Sequence, residues 1–410
     1  MPAIIAGYID NPFLFISFWI IGGLLSLIGA SIYAEMGTRF PVAGGPFVYA
    51  QKAFGDTIGF LTGWANWIFS AGVIAYIAIA VGEYTNKLVK IHLPVGIISS
   101  LLIILLSVMQ WQGLRLSSNF QKIMSSLKAI GLLILVISCF SYFFKGNKYS
   151  DSVLSDSTRS MPLIPAIILS LRAIFITYGG WNTAVYFTEE DTDPGKNLPR
   201  SLVWGVISIM IIYVLVNVGI IAVLPLQEIA KSALPAADAA QLIFGGSGDI
   251  IVTIISVVSL FAILNAVLLF APRILFAVSR AGLFFKSTSK LNKHFIPGNA
   301  LIITTLVSVF FASTGIFNLV VNITALLVIL VDLSVYISII FVRRQSPLVT
   351  PPYKAWTYPY SAIVMIIVTL GLVVGLFLED TRNCIYSLII LALAFPFYFL
   401  FKKLSAKSKV

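Results

Sequence analysis

The sequence predicts an all-α polytopic membrane protein, and three observations carry that expectation. Long apolar runs recur along the whole chain, separated by short polar loops. The chain is 59% hydrophobic and only 10% charged, with a mean hydropathy of +0.99, whereas a soluble domain carries about 25% charged residues. The net charge of +11 resides in the short loops between apolar runs, which excludes a nucleic-acid partner.

The elements follow in chain order. Met1–Ile9 is an apolar stub too short to span, and Asp10-Asn11-Pro12 ends it. Eleven spans are expected at 13–33, 58–81, 94–110, 123–144, 162–188, 202–225, 250–279, 298–316, 320–342, 360–378 and 384–401. No cleavable signal peptide is expected, because the basic n-region is missing. With the stub ending outside, eighteen Lys and Arg fall on the inner side and seven on the outer, and Arg172 and Arg273 lie within spans. That asymmetry puts the loop after span 162–188 and the C-terminus in the cytoplasm of a cell-membrane protein.

The loop 34–54 is rich in Gly and Pro and reads as a tight connector. Span 58–81 carries Trp64, Asn66, Trp67 and Tyr76, an aromatic density typical of core or interface anchors. The outer loop 145–161, with Lys145, Asp151, Asp156 and Arg159, reads as solvated. Lys128 stands only about five residues, roughly 8 Å, inside the cytoplasmic edge of its span, within snorkelling reach of the headgroups. Cys139 and Cys384 lie in or beside apolar segments and suggest neither a disulfide framework nor a metal site; His92 and His294 fall at segment ends. No cofactor is expected.

Segment 162–188 is overlong, about 27 residues or roughly 40 Å of helix for a bilayer core of about 30 Å. It must tilt, protrude or break, and Gly179-Gly180 is the place to break it. Either the pair interrupts the helix, leaving peptide groups that protein, water or a ligand must satisfy, or it lets another helix pack closely. The carboxylates Glu189, Glu190, Asp191 and Asp193, with Pro194 and Pro199, read as loop architecture and an inner gate. Arg273, near the cytoplasmic end of span 250–279, is expected to snorkel. Asp332 is the candidate intramembrane acid, at the middle of its span. It is protonated and structural, or it biases a vestibule towards cationic substrates, or it relays a proton.

A resemblance now adds to this reading. Tyr178-Gly179-Gly180-Trp181-Asn182, followed by Thr188-Glu189-Glu190, Asp193-Pro194 and Asn197-Leu198-Pro199, resembles the sixth helix of the amino acid–polyamine–organocation superfamily, nearest its L-type amino acid transporter branch. Weaker matches are Ala34-Glu35-Met36-Gly37-Thr38-Arg39-Phe40-Pro41 with Gly44-Gly45-Pro46, and Ala271-Pro272-Arg273 with Ser279-Arg280-Ala281-Gly282. The resemblance implies a five-plus-five inverted-repeat fold of the leucine-transporter type, its first and sixth helices broken at mid-membrane. The transport core is then 1–342, with an incomplete first repeat in 1–144 and the second repeat in 162–342. Two extra C-terminal helices and a basic tail occupy 343–410, and homodimer contacts are a common use of such helices.

The same resemblance implies the site. Carbonyls around Ile176, Thr177 and Gly179 would take a substrate amine, with Gly180, Trp181 and Asn182 completing the break. The family's Gly-Ser-Gly signature, whose amides hold the substrate carboxylate, would precede Met1 and is absent. The first helix is thus expected to be truncated, with an upstream continuation of roughly 15–25 residues in the gene. From Phe120-Gln121 onward the match extends to Lys128, placing it where sodium-coupled relatives hold an ion, near Ser259 and Asn265 on the eighth helix. Val267 stands where the family often has a serine. The implied function is secondary-active amino acid transport by alternating access, as an exchanger or proton-coupled symporter, with Lys128 arguing against sodium. The substrate is an amino acid and the other partner the lipid bilayer. The alternatives are a truncated, non-transporting sensor or scaffold, and a membrane enzyme, the last disfavoured by the lack of HExxH or paired intramembrane aspartates.

Overall fold

A computed structural model of the chain describes residues 1–89, 93–146, 163–346, 348 and 350–407. The expectations placed on His92 and on Asp151, Asp156 and Arg159 of the outer loop, and on the last three residues of the basic tail, lie outside the described residues. Sixteen α-helices occupy the described residues, and no strand occurs among them. They are α1 (Pro2–Tyr8), α2 (Pro12–Arg39), α3 (Pro46–Phe54), α4 (Asp56–Val89), α5 (Val95–Trp111), α6 (Leu114–Phe144), α7 (Leu163–Tyr178) and α8 (Pro194–Val223). The second half holds α9 (Leu226–Lys231), α10 (Pro235–Phe244), α11 (Gly248–Arg280), α12 (Gly298–Ser313), α13 (Phe317–Gln345), α14 (Tyr360–Glu379), α15 (Thr381–Ala392) and α16 (Ala394–Lys407).

All eleven expected spans carry helix. Eight helical segments are long and apolar enough to cross a bilayer, and α5 and α12 are shorter apolar helices. The eleventh is α7, which stops at Tyr178. One boundary needs correction. The expected connector 34–54 is mostly helical, because α2 runs on to Arg39 and α3 begins at Pro46. Proline at a first helical position loses no hydrogen bond, so Pro46 starts a helix here rather than preventing one.

The chain divides into two units: residues 1–27, 124–181 and 203–259 form the first, and residues 28–123, 182–202 and 260–410 the second. In the first, α1 packs against α7 and α9. Ile5 and Ile9 are fully buried in a cluster with Phe15, Trp19, Ile174 and Ile229. The stub is therefore a docked piece of helix, held by apolar burial. Close approach of α2 to α7 depends on Gly22, where a Cβ would lie 1.9 Å from the Ile174 side chain.

In the second unit α4 is the central helix, 89% of its apolar window being buried. Helices α3, α5, α12 and α13 pack around it. The C-terminal helices also join this unit: Trp64 Nε1–H donates to the Ile390 carbonyl at 3.1 Å and stacks on Phe397 at 5.0 Å. Trp64 thus anchors α15 and α16, while Trp67 Nε1–H donates to Thr304 of α12 at 2.9 Å and Tyr76 packs edge-on to Phe317 of α13 at 5.6 Å.

Polar anchoring in the second unit centres on Glu35, whose side chain is fully buried. Arg343 grips it with two hydrogen bonds, at 2.8 and 2.5 Å, and Arg39 adds a third at 3.2 Å. The Ala355 N–H donates to its Oε2 at 2.7 Å, and the Trp356 N–H donates to Ser31 Oγ at 2.7 Å. Residues 353–356 are thereby tied to α2 and to the end of α13. Removing one member of a buried pair leaves the other charge uncompensated. Glu35→Ala should therefore destabilise the protein by about 3–5 kcal/mol, measured by denaturant unfolding in detergent. A loss below about 1 kcal/mol would mean that the pair is screened as a surface pair is.

Candidate functional site

The break in the sixth span is built from α7 and the segment after it. The helix ends at Tyr178, Gly179-Gly180 form a turn, and Trp181–Glu190 continue as a 3₁₀ helix. Gly180 has φ +98°, where an L side chain is strained, and no atom lies within 4 Å of where its Cβ would be. Both glycines are exposed. The chain thus offers bare backbone at the centre of an otherwise apolar segment, and of the two readings of the Gly pair it is the interruption that the structure has.

The neighbouring peptide groups are partly engaged. The Ile176 carbonyl accepts from the Gly179 N–H at 3.2 Å, and the Thr177 carbonyl accepts from the Tyr213 hydroxyl at 3.2 Å. Tyr178 donates its hydroxyl to the Trp19 carbonyl at 2.7 Å and stands edge-on to Tyr213, with ring centroids 5.1 Å apart. These contacts all lie within the first unit. They stiffen the end of α7 and aim a Tyr–Trp–Tyr group along it. A carbonyl has two lone pairs, so Ile176 and Thr177 each retain acceptor capacity for an ammonium group.

Beyond the break, the 3₁₀ segment is held within the second unit. Ten residues is long for a 3₁₀ helix, whose hydrogen bonds are poorer than an α-helix's, so side-chain contacts must support it. Tyr186 stacks on Phe270 at 4.8 Å and accepts from Asn66 Nδ2 at 2.8 Å. Glu189 accepts from the Ala43 N–H at 2.8 Å and pairs with Arg280 at 2.6 and 2.8 Å. Glu190 pairs with Arg273 at 2.7 Å. Burial alone would raise the Glu189 carboxyl, but the Ala43 amide and the Arg280 guanidinium together bring it below the usual carboxylate value.

Arg273 corrects an expectation. It does not snorkel: it is 4% exposed, paired with Glu190, bonded to the Leu269 carbonyl and placed 4.5 Å over the Phe187 ring. The partner carboxylate comes from a segment 83 residues earlier, so α11 alone gave no sign of it.

The coupling candidates divide. A contact of Gly131 with Ile255 and a hydrogen bond between Gln121 and Asn265 run α6 and α11 antiparallel. That register puts Lys128 level with Ser259, both in the first unit. Lys128 is half-buried, with no ion-pair partner among the described residues. Asn265 belongs to the second unit and is fully buried. Its amide donates to the Ser117 carbonyl and to Gln121 Oε1, and its oxygen accepts from Gln110 Nε2 at 2.8 Å. Asn265 is thus a clasp joining α5, α6 and α11, its amide already committed to protein. Asp332 is buried in the second unit and accepts from the Tyr33 hydroxyl at 2.5 Å.

A multi-helix membrane bundle with an interrupted helix and exposed backbone at the interruption defines the class of membrane transport proteins. The comparisons make the family plain. The family model described as amino acid permease matches residues 4–399, and the chain belongs to that family. It is a family of permeases rather than of enzymes. The chain is similar to the serine/threonine exchanger SteT of Bacillus subtilis, 24% identical over 99% of this chain and 92% of that one. It is also similar to the b(0,+)-type amino acid transporter 1 of Mus musculus, 24% identical over 93% of this chain and 79% of the relative. Large neutral amino acids transporter small subunit 2 of Oryctolagus cuniculus is 28% identical over 64% of this chain and 50% of its own length. These relatives agree with the transporter branch that the motif around Gly179-Gly180 pointed to.

Sequence reasoning missed the Glu35–Arg343 anchor and the tyrosines near Asp332. The Glu35/Arg39 and Asp332/Tyr336 spacings, both i,i+4, put each pair on one helix face and were the available signals. A prediction follows from Glu189. Because its folded value is depressed, the stabilisation it gives is complete above the ordinary glutamate range and is lost as pH falls through the folded value. The melting-temperature difference between the wild type and Glu189→Gln should be constant near neutral pH and shrink in acid. A difference independent of pH down to the acid limit would mean that the Ala43 and Arg280 contacts do not favour the ionised form.

Proposed function

We propose that the protein is a secondary-active amino acid transporter of the cell membrane, working by alternating access as an exchanger or proton-coupled symporter. The single observation that carries the reading is the interruption of the sixth span at Gly179-Gly180, with its exposed backbone. The substrate amine would rest on the Ile176, Thr177 and Gly179 carbonyls, with Gly180, Trp181 and Asn182 shaping the turn. Membership of the permease family and the exchanger and transporter names of its relatives support this reading. The transport core is 1–342, with the second repeat in 162–342, and residues 343–410 buttress α4 and carry the cytoplasmic tail. The outward apolar residues of α14, such as Ile367 and Val374, would meet lipid or a second copy in a homodimer.

In this reading the Glu189 and Glu190 pairs with Arg280 and Arg273 close the inner side, and their separation opens it. Lys128, level with Ser259 on the antiparallel helix, supplies a fixed positive charge where a coupling ion would otherwise sit. Asn265 holds the helices that frame it.

The test is uptake of labelled amino acids by the purified protein in liposomes, with and without internal amino acid and with and without a proton gradient. Gly180→Val forces a β-branched residue into a left-handed conformation at a strain of about 1–2 kcal/mol. It should cut uptake by roughly tenfold or more while membrane insertion and expression stay normal. Unchanged uptake in that variant would remove the break from the transport site. Lys128→Ala should cripple uptake with near-normal expression. Full uptake in that variant would mean that the lysine only reaches the headgroups.

A further inference from the structure

The second unit contains a buried acid that the amino acid site does not use. Asp332 stands 15 residues after Phe317 and 13 before Gln345 on α13, about 20 Å of helix from either end. It is 6% exposed. Around it the polar groups are almost all phenols. Tyr33 of α2 donates to its Oδ1 at 2.5 Å. Tyr336 lies one turn further along α13, its ring 6.2 Å from that of Tyr33. Tyr186 of the 3₁₀ segment accepts from Asn66 Nδ2 at 2.8 Å and stacks on Phe270 at 4.8 Å. Tyr49 of α3 packs edge-on to Tyr33 at 6.4 Å.

Two of these phenols have no partner. The Tyr336 and Tyr49 hydroxyls are fully buried and make no hydrogen bond. An unsatisfied buried hydroxyl costs about 1–3 kcal/mol, so two of them in the aromatic cluster that holds the carboxyl call for an explanation.

Among the described residues of the second unit, no cation pairs with the acid from any element packed around it. On α13 the nearest charges are Arg343 and Arg344, eleven and twelve residues away, and Arg343 is committed to Glu35. On α2 the nearest is Glu35, itself held by Arg343 and Arg39. Helix α4 contributes Asn66, which donates to Tyr186. In the 3₁₀ segment Glu189 and Glu190 are paired with Arg280 and Arg273. Helix α3 presents Tyr49, with Lys52 in its last turn. Helix α14 has no charged residue before Glu379, and α15 carries only Arg382 at its exposed start.

A carboxylate buried without a cation is unfavourable, and one phenol hydrogen bond does not offset the loss of water. A carboxylic acid is the state that this surrounding suits. It still accepts from Tyr33, and the Tyr336 hydroxyl one turn further along α13, which makes no hydrogen bond as it stands, is the phenol its new O–H could turn to. Larger ions are disfavoured, since hard cations seek several carboxylate and carbonyl oxygens and the acid is walled by aromatic rings.

We propose that Asp332, with Tyr33 and Tyr336, forms a buried proton-binding site in the second unit, separate from the amino acid site. The proposal rests on the transport reading only in taking the bound proton as the coupling ion. Loading is a plain protonation, carboxylate plus H⁺ giving the acid. Release returns the proton to water when Tyr33 and Asp332 part. Helix α2, the 3₁₀ segment and α13 all contribute to the cluster, so movement of any of them would change its hydration.

The test uses the full chain in liposomes and two readouts. Infrared difference spectra against pH should show the C=O stretch of a buried carboxylic acid in the wild type at neutral pH, lost at higher pH and missing from Asp332→Asn. Lysine is silent in that band, so Lys128 cannot mimic it. Tyr33→Phe keeps the acid but deprives the carboxylate of a hydrogen bond, so its band should survive to higher pH. A phenol that only packs would leave the titration unmoved. In the second readout, external acid should raise uptake several-fold in the wild type and not in Asp332→Asn. Identical infrared titrations for the wild type and Asp332→Asn would overturn the proposal, as would full acid stimulation in that variant. If the wild type moved no amino acid, the transport reading would fall, while the infrared titration would still decide whether Asp332 binds the proton.

Discussion

Lipid offers no hydrogen bond to a peptide group, and the interruption after Tyr178 is where this chain comes closest to violating that constraint. An α-helix that stops inside an apolar segment leaves carbonyls at its end and amides at the start of whatever follows. The protein meets the first need with a tyrosine: Tyr213 reaches from α8 to the Thr177 carbonyl. It meets the second by continuing as a 3₁₀ helix, a form that retains a hydrogen bond for most residues while turning more tightly. What remains bare is the Gly179-Gly180 backbone. In this setting an exposed peptide unit needs a polar neighbour, and that need is what the proposed substrate site would answer.

The same scarcity of water governs the charges. An arginine inside a membrane helix has two ways out, to snorkel or to pair, and a helix read by itself suggests the first. Arg273 and Arg343 take the second. Their carboxylates, Glu190 and Glu35, come from segments 83 and 308 residues away. Both pairs involve Arg, whose planar fork can hold a carboxylate through two hydrogen bonds, as it does at Glu35. Each pair also fixes an element that lacks a strong helical reason to stay put: the 3₁₀ segment in one case, the stretch 353–356 in the other. Electrostatics here does the positioning that apolar packing does for α1.

What could be read in the sequence, and what could not, follows from the range of the forces involved. Spans are set by local hydropathy, so all eleven were legible. The break was legible because an overlong apolar run and two adjacent glycines are both local signals. The extent of α2 past residue 33 was missed because the polar sequence at its end looked like loop, while Glu35 is made tolerable by Arg343 far along the chain. The partners of Asn265 were beyond reach for the same reason: an amide in the middle of an apolar helix gives no local sign that Gln110 and Gln121 face it. Of the proposed amino acid site, the backbone was readable, but the aromatic group that stiffens it, Trp19, Tyr178 and Tyr213, was not. Aromatic residues are common enough in membrane helices that their individual roles are settled only by neighbours.

Lys128 and Asp332 are intramembrane ionisable residues with no ion-pair partner among the described residues, and their surroundings differ in an instructive way. Lys128 is half-buried near the middle of α6, on a long flexible stem that can carry its charge away from apolar surface. Asp332 has a short stem, sits at the middle of its helix and is buried, with the Tyr33 hydroxyl bonded to it. The lysine can keep its charge by moving; the aspartate can only change its protonation. A fixed cation suits the part of a carrier that replaces a coupling ion, since it need not enter or leave. A group that cannot reach water in one conformation, but can when neighbouring helices part, suits the part that picks a proton up and lets it go.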